Sequence, residues 1–321
     1  MNLVLEKDSA ITAQAPAQTN PDLRDLVWNF VRGASIETST KVLVDLDGYA
    51  SLLPPATDVY ATYLPGTPYR HILGIARRLR RAGMNPVPHI AARRLANATV
   101  AAEFLARLRD EADVTRALLI AGDSRIPAGP FASSRAVLET GLLQEHGIRS
   151  IGIAGYPEGH GAIGAAALME ALERKISYAR SHGMEPFIVS QFCFDGRIIL
   201  EWLKKLRACG VSAPVRVGLA GAATIRTLLN YGIRCGVGDS LKAFGAQPVS
   251  LTRLLMRHGP ESAICAIAPH AAALGIEGLH VFPFGGFAEA ARWMGMVSAG
   301  QFRLTGTDPG FALENGPRTG L

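Results

Sequence analysis

Side chains able to do chemistry recur along this chain in one kind of place, the end of a short apolar run. Glu37 falls within Ala34-Ser35-Ile36-Glu37-Thr38, Thr62 follows Asp58-Val59-Tyr60-Ala61, and His89 lies near the end of the run from Asn85 to Ala91. Asp123 ends Ala117-Leu118-Leu119-Ile120-Ala121-Gly122-Asp123, Tyr156 and His160 follow the run from Ser150 to Gly155, and Gln191 follows Pro186-Phe187-Ile188-Val189-Ser190. A carboxyl group can hold or deliver a proton, an imidazole or amide can donate to or accept from a ligand, and a tyrosine offers a ring face and a hydroxyl. Taken singly, each is more simply a turn former or a helix cap. Their recurrence at successive runs points to one shared site.

The elements that would position them alternate. The apolar runs lack helical spacing, which is how buried parallel strands read. Between and after them lie helical patterns: about Lys41 to Leu53, Pro68 to Ala82, Ala98 to Ala112 with Asn97 as its cap, Ser133 to His146, and a long stretch between His160 and Pro186. A seventh run, Pro214 to Ala220, precedes several helical stretches from about Ala222 to Leu274, and an eighth, Gly278 to Phe284, precedes a last helix near Ala288 to Val297. This order predicts an α/β chain folded as a single (β/α)8 TIM barrel over 21–300, with extra helices before the last strand. A doubly wound open sheet is the alternative, because periodicity does not reveal strand order. In a barrel all strand ends surround one mouth, so residues far apart in sequence can face one ligand.

Composition narrows the class. Of 321 residues 48% are hydrophobic and 19% charged, which suits a globular core and excludes a mainly disordered chain. The net charge of +6 is mild and spread out, favouring anionic small molecules over nucleic acid. The four cysteines, Cys193, Cys209, Cys235 and Cys265, have no metal-ligand spacing and read as reduced thiols of a cytoplasmic protein; no metal site is expected. No apolar run is long enough for a bilayer, so no membrane partner is expected. Residues 1–20 read as a loose tail without signal-peptide character, and the Gly, Thr and Pro content of 301–321 predicts a second loose tail.

The sequence resembles methylenetetrahydrofolate reductases. The most specific match is Tyr156-Pro157-Glu158-Gly159-His160 after an Ile-Gly-Ile-Ala-Gly strand. Gly122-Asp123, Pro88-His89-Ile90, Ile188-Val189-Ser190-Gln191-Phe192-Cys193-Phe194-Asp195 and Gly278-Leu279-His280-Val281-Phe282 support it, in family order, from about residue 30 to 300. The resemblance implies a barrel that binds FAD and reduces 5,10-methylenetetrahydrofolate to 5-methyltetrahydrofolate, with NADH or NADPH as electron donor, and homo-oligomerisation. By position it implies Glu37 as the acid that opens the methylene bridge, Asp123 as a charge near flavin and folate, and Gln191 as a folate contact. It further implies Thr62, His89, Gly122, Asp123, Tyr156, His160 and Lys175 as residues lining FAD.

Two departures from the family pattern bear on these roles. Glu37 is followed by Thr38-Ser39-Thr40 rather than aromatic and proline residues, and Ala121 stands where relatives commonly carry arginine before Gly122-Asp123. They motivate two alternatives: a folate-binding barrel without redox activity, and a flavin-independent one-carbon folate enzyme. Arg77, Arg78, Arg80 and Arg81 crowd one helix, where they could attract NAD(P)H or a polyglutamyl tail, or simply face solvent. Gly236-Val237-Gly238-Asp239-Ser240 reads as a turn with Asp239 capping the next helix.

Overall fold

The computed structural model describes residues 22–38, 48, 51–63, 68–221, 223–224, 227, 257–284, 286–306 and 310–314. After helix α1 (Leu23–Val31), eight strands follow in the order β1 (Ser35–Thr38), β2 (Asp58–Ala61), β3 (Asn85–Ala91), β4 (Arg116–Ile120), β5 (Ser150–Gly155), β6 (Glu185–Ser190), β7 (Val215–Ala220) and β8 (Ile276–Phe282). Each pairs in parallel with its sequence neighbour, and β8 pairs back onto β1 with Ser35 beside His280, so the sheet closes into a (β/α)8 barrel. Closure excludes the open-sheet alternative.

Helices α2 (Tyr69–Arg81), α3 (Ala98–Ala112), α6 (Ala165–Ser181), α7 (Gly196–Ala208) and α9 (Phe287–Ser298) cover the outside. In α2, Ile72, Leu73, Ile75, Ala76 and Leu79 are buried, the three-to-four spacing of one helix face, and they join Val59, Ala61 and Ile90 of the strands in the outer core. Asn97 caps α3 as its position predicts, accepting from the Val100 amide at 2.8 Å. The single helix expected from Ser133 to His146 is instead two short ones, α4 (Ser134–Leu138) and α5 (Leu142–Glu145). Gly141, with φ +79°, turns the chain between them. Among the described residues, α8 (Glu261–Ile267) and a 3₁₀ turn (Ala268–His270) precede β8; the pattern expected over Lys41 to Leu53 and the Gly236–Ser240 turn lie largely or wholly outside the described residues.

The C-terminal segment corrects the expectation of a loose tail. Strands β9 (Phe302–Thr305) and β10 (Gly310–Leu313) form an antiparallel ribbon. Phe302 and Phe311 are buried with ring centroids 4.9 Å apart, and Phe311 stacks on Trp293 of α9. Two aromatic anchors outweigh the Gly, Thr and Pro between them. No helix of the described residues is long and apolar enough to cross a membrane.

The barrel interior is divided by chemistry. Val87, Leu118, Phe187 and Val189 pack with Tyr60 in an apolar inner cluster. At the N-terminal end, Arg116 and Arg216 are interleaved with Asp58 and Glu277: Arg116 to Asp58 is 2.7 Å, Arg216 to Glu277 is 2.8 Å, and the cross pairs are 3.4 and 3.6 Å. Two cations and two anions thus close the bottom of the barrel with no net charge. Gly218 marks how tightly β7 approaches β6, because a Cβ there would stand 2.3 Å from the Ser190 carbonyl oxygen. Gly218→Ala is therefore expected to destabilise the chain by about 1–3 kcal/mol. That appears as a lowered urea midpoint at unchanged slope; an unchanged midpoint would show the approach to be loose.

Candidate active site at the mouth of the barrel

Strand closure brings Glu37, Thr62 and His89 together from β1, the residue after β2, and β3. The Glu37 carboxylate, with its side chain 16% exposed, lies 3.5 Å from His89 Nε2 through Oε1, and the Thr62 hydroxyl donates to its Oε2 at 3.4 Å. A fourth member comes from β8: His280 Nε2 stands 3.6 Å from the same Oε1. His280 is fully buried, its Nδ1 is 2.9 Å from the Ser35 hydroxyl, and its ring meets Tyr60 edge-on at 4.4 Å. Neither Nε2 has a hydrogen-bond partner, so both imidazoles address one carboxylate oxygen by charge and proximity.

The electrostatics of this cluster are mixed. Burial alone would raise the Glu37 pKa, but the adjoining His280, the His89 charge and the Thr62 hydroxyl together hold it below the usual carboxylate range. Burial pushes the His89 imidazole down and the Glu37 charge pulls it up, leaving it below its ordinary value. Glu37 and His89 are therefore coupled, the charge of each shifting the proton affinity of the other.

Along the rim, Gly122 follows β4 with φ +88°, a conformation suited to glycine, and an added Cβ would lie 3.3 Å from that of Ala91. Asp123 is exposed and paired with Arg94, in the turn after β3, at 2.9 Å. Sequence reasoning misses that arginine; its signal is its place three residues beyond the end of a strand. Its neighbour Arg93 is structural, donating to the Ala132 and Ser124 carbonyls and thereby holding the segment after β4. Tyr156 is half-buried with its ring 5.2 Å from that of His160, which is exposed and accepts from the Ala162 amide through Nδ1. The Gln191 backbone N–H donates to the Gly155 carbonyl at 2.7 Å, locking the ends of β5 and β6 together.

Beside these, Phe192 and Phe194 after β6 and Phe282 and Phe284 at the end of β8 form an aromatic wall, with ring centroids 4.8–6.3 Å apart. The His280 ring touches Phe282 at 4.8 Å, so the wall rises directly from the acidic cluster. Phe284 holds φ +45°, a conformation that costs a side-chain-bearing residue energy and is retained mostly where geometry matters.

Lys175 stands apart from this group. It lies ten residues beyond the first residue of α6, roughly 15 Å along the helix from the rim. Partial burial pushes its ammonium pKa down to about 8. The arginines of α2 are also separate. That helix runs back from the mouth, and at its far end Arg80 donates to the Ala112 and Asp113 carbonyls and to Asn85, while Arg77 pairs with Glu111 at 2.9 Å. These two arginines bind α2 to α3 at the bottom of the barrel rather than serving a ligand at the mouth.

No family model matches the chain. Its architecture recurs in a solved structure. That structure is an uncharacterized protein from Clostridium thermocellum that binds two copies of 5-methyl-5,6,7,8-tetrahydrofolic acid; it is 10% identical, has a TM-score of 0.52, and aligns over 85% of this chain and 97% of that one. At that identity the likeness establishes the shared fold. Dihydropteroate synthase (FolP) from Thermus thermophilus is 17% identical over 82% of this chain and 93% of its own, with a TM-score of 0.42, too low to support further argument. Among the described residues no group of His, Cys, Asp or Glu is arranged to hold a metal ion.

Proposed function

We propose that this chain is a folate enzyme that reduces 5,10-methylenetetrahydrofolate to 5-methyltetrahydrofolate, with FAD as the hydride carrier and NADH or NADPH as its reductant. The observation that carries this reading is the Glu37 carboxyl group at the foot of an aromatic-walled mouth, sheltered from water and flanked by two imidazoles. The order of motifs along β3 to β8 and the folate-binding barrel of similar fold support it.

Opening the methylene bridge requires a proton at the departing nitrogen. Glu37 supplies it, and the carboxylate that results stays beside the two imidazoles without a large rearrangement. The aromatic wall of Phe194, Phe282 and Phe284 offers ring faces to a planar heterocycle, and Gln191 contacts the folate. Asp123, steadied by Arg94, places negative charge where a cationic iminium develops.

The rim after β2, β4 and β5 fits a flavin. It presents the Thr62 hydroxyl, bare main chain at Gly122, the Tyr156 ring and an exposed His160; Lys175, farther down α6, would reach only a part of the cofactor that extends beyond this rim. When bound, the flavin supplies the hydride that no side chain can supply.

An absorption spectrum of purified protein with and without added FAD, followed anaerobically by NADH or NADPH, tests the reading. Flavin bands that bleach with a pyridine nucleotide and return with methylenetetrahydrofolate are expected. Protein that binds folate but takes up no flavin, even in excess, would instead support the second reading, a folate-binding barrel without flavin chemistry, which the presence of Ala121 favours.

A further inference from the structure

The family resemblance sets His89 against the cofactor, but its position in the barrel assigns it differently. Its side chain is 6% exposed, its Nε2 lies 3.5 Å from Glu37 Oε1, and that nitrogen has no hydrogen-bond partner. A ring buried to this degree presents little surface to a phosphate or ribose. The groups that face it are the Glu37 carboxylate from β1, the His280 imidazole from β8 and the Tyr60 ring of β2 at 6.2 Å. Thr62 contacts the other oxygen of Glu37, and Ser35 holds the far nitrogen of His280.

We propose that His89 is a positioning residue of the proton-holding centre, sharing with His280 the single proton that balances the Glu37 carboxylate. A buried carboxylate between two neutral imidazoles would carry an uncompensated charge, whereas one added proton makes the cluster neutral. That proton is taken up as substrate covers the mouth, and it sits on Glu37 or on either facing Nε2. When Glu37 gives that proton to the departing nitrogen of substrate, it is left as a carboxylate facing two neutral imidazoles, and one proton from water, entering at a facing Nε2 and passing to Glu37, restores the cluster. One proton enters and one leaves in each turnover. This inference rests on the proposed reduction for its purpose, but not for its test.

The test begins without substrate or cofactor, by following the histidine ring nitrogens of ¹⁵N-labelled protein through a pH titration, with H89N and H280N used to assign the signals. In Glu37→Gln the His89 midpoint should fall further, because the negative charge that favours its protonated form is gone. An unchanged His89 midpoint would overturn the proposal, whatever the enzyme does. A second arm compares H89N, and H89Q should the first fold poorly, with the unaltered chain. Flavin affinity is expected to stay within about twofold while reduction of methylenetetrahydrofolate slows about tenfold and its pH dependence moves. Lost flavin affinity with an unmoved pH profile would return His89 to the cofactor. Absence of any flavin turnover would defeat the reductase reading alone and leave the titration to decide the shared proton.

Discussion

Glu37→Gln slows the reduction of methylenetetrahydrofolate by about 10²- to 10⁴-fold, while reduction of bound flavin by NADH or NADPH proceeds at its normal rate. The amide keeps the size of the carboxyl group and its place between His89 and His280 but cannot hand over a proton. Rapid-mixing measurement of the two half-reactions separates the effects. Equal slowing of both would mean that Glu37 shapes the site without acting in it.

The direction of the Glu37 pKa adds a pH dependence. In the ligand-free protein the neighbouring imidazoles and Thr62 outweigh burial and hold the carboxyl group below its usual range, so it is ionised at neutral pH. Folate covering the mouth removes the remaining solvent and strengthens the opposing influence, the cost of a buried charge. Folate binding is therefore accompanied by proton uptake and becomes tighter as the pH falls. Calorimetry in buffers of different ionisation enthalpy measures that uptake; binding without proton exchange would show that Glu37 keeps its charge in the complex.

The second large effect concerns stability. Arg216→Ala is expected to cost about 3 kcal/mol or more, because it strips the main partner from Glu277 and one of two partners from Asp58 at the closed end of the barrel. It also removes the donor to the Gly33 carbonyl just before β1. Arg116 remains within reach of both acids, which limits the loss. The urea midpoint should fall at unchanged slope. By contrast, R109A, which removes an exposed pair with Asp110, should leave the midpoint where it was. Equal responses from the two variants would show that the bottom cluster is no better sheltered than the surface.

Most of the β/α order could be read from the chain because its two periodicities are local. An apolar run such as Ile151 to Gly155 cannot be satisfied as an exposed strand, and the three-to-four spacing of α2 buries one face only. Positions at strand ends were legible for the same reason, so Glu37, Thr62 and His89 could be named in advance. Their roles depend on what lies opposite, and that is a matter of closure. His280 reads as one polar residue inside an apolar strand, and its value appears only when β8 pairs with β1 and sets it against Ser35, 245 residues away in sequence.

The same limit explains the other corrections. A run of arginines has one sequence appearance whether it meets a ligand or a neighbouring helix, and the direction in which α2 crosses the barrel turned Arg77 and Arg80 away from the mouth. Phe302 and Phe311 read as isolated aromatics in a Gly- and Thr-rich tail until the antiparallel pairing of β9 and β10 brought them together against Trp293. Local periodicity determines which segments must be strands or helices. Only the closed barrel decides which polar groups share a dielectric environment, and hence which of them exchange a proton.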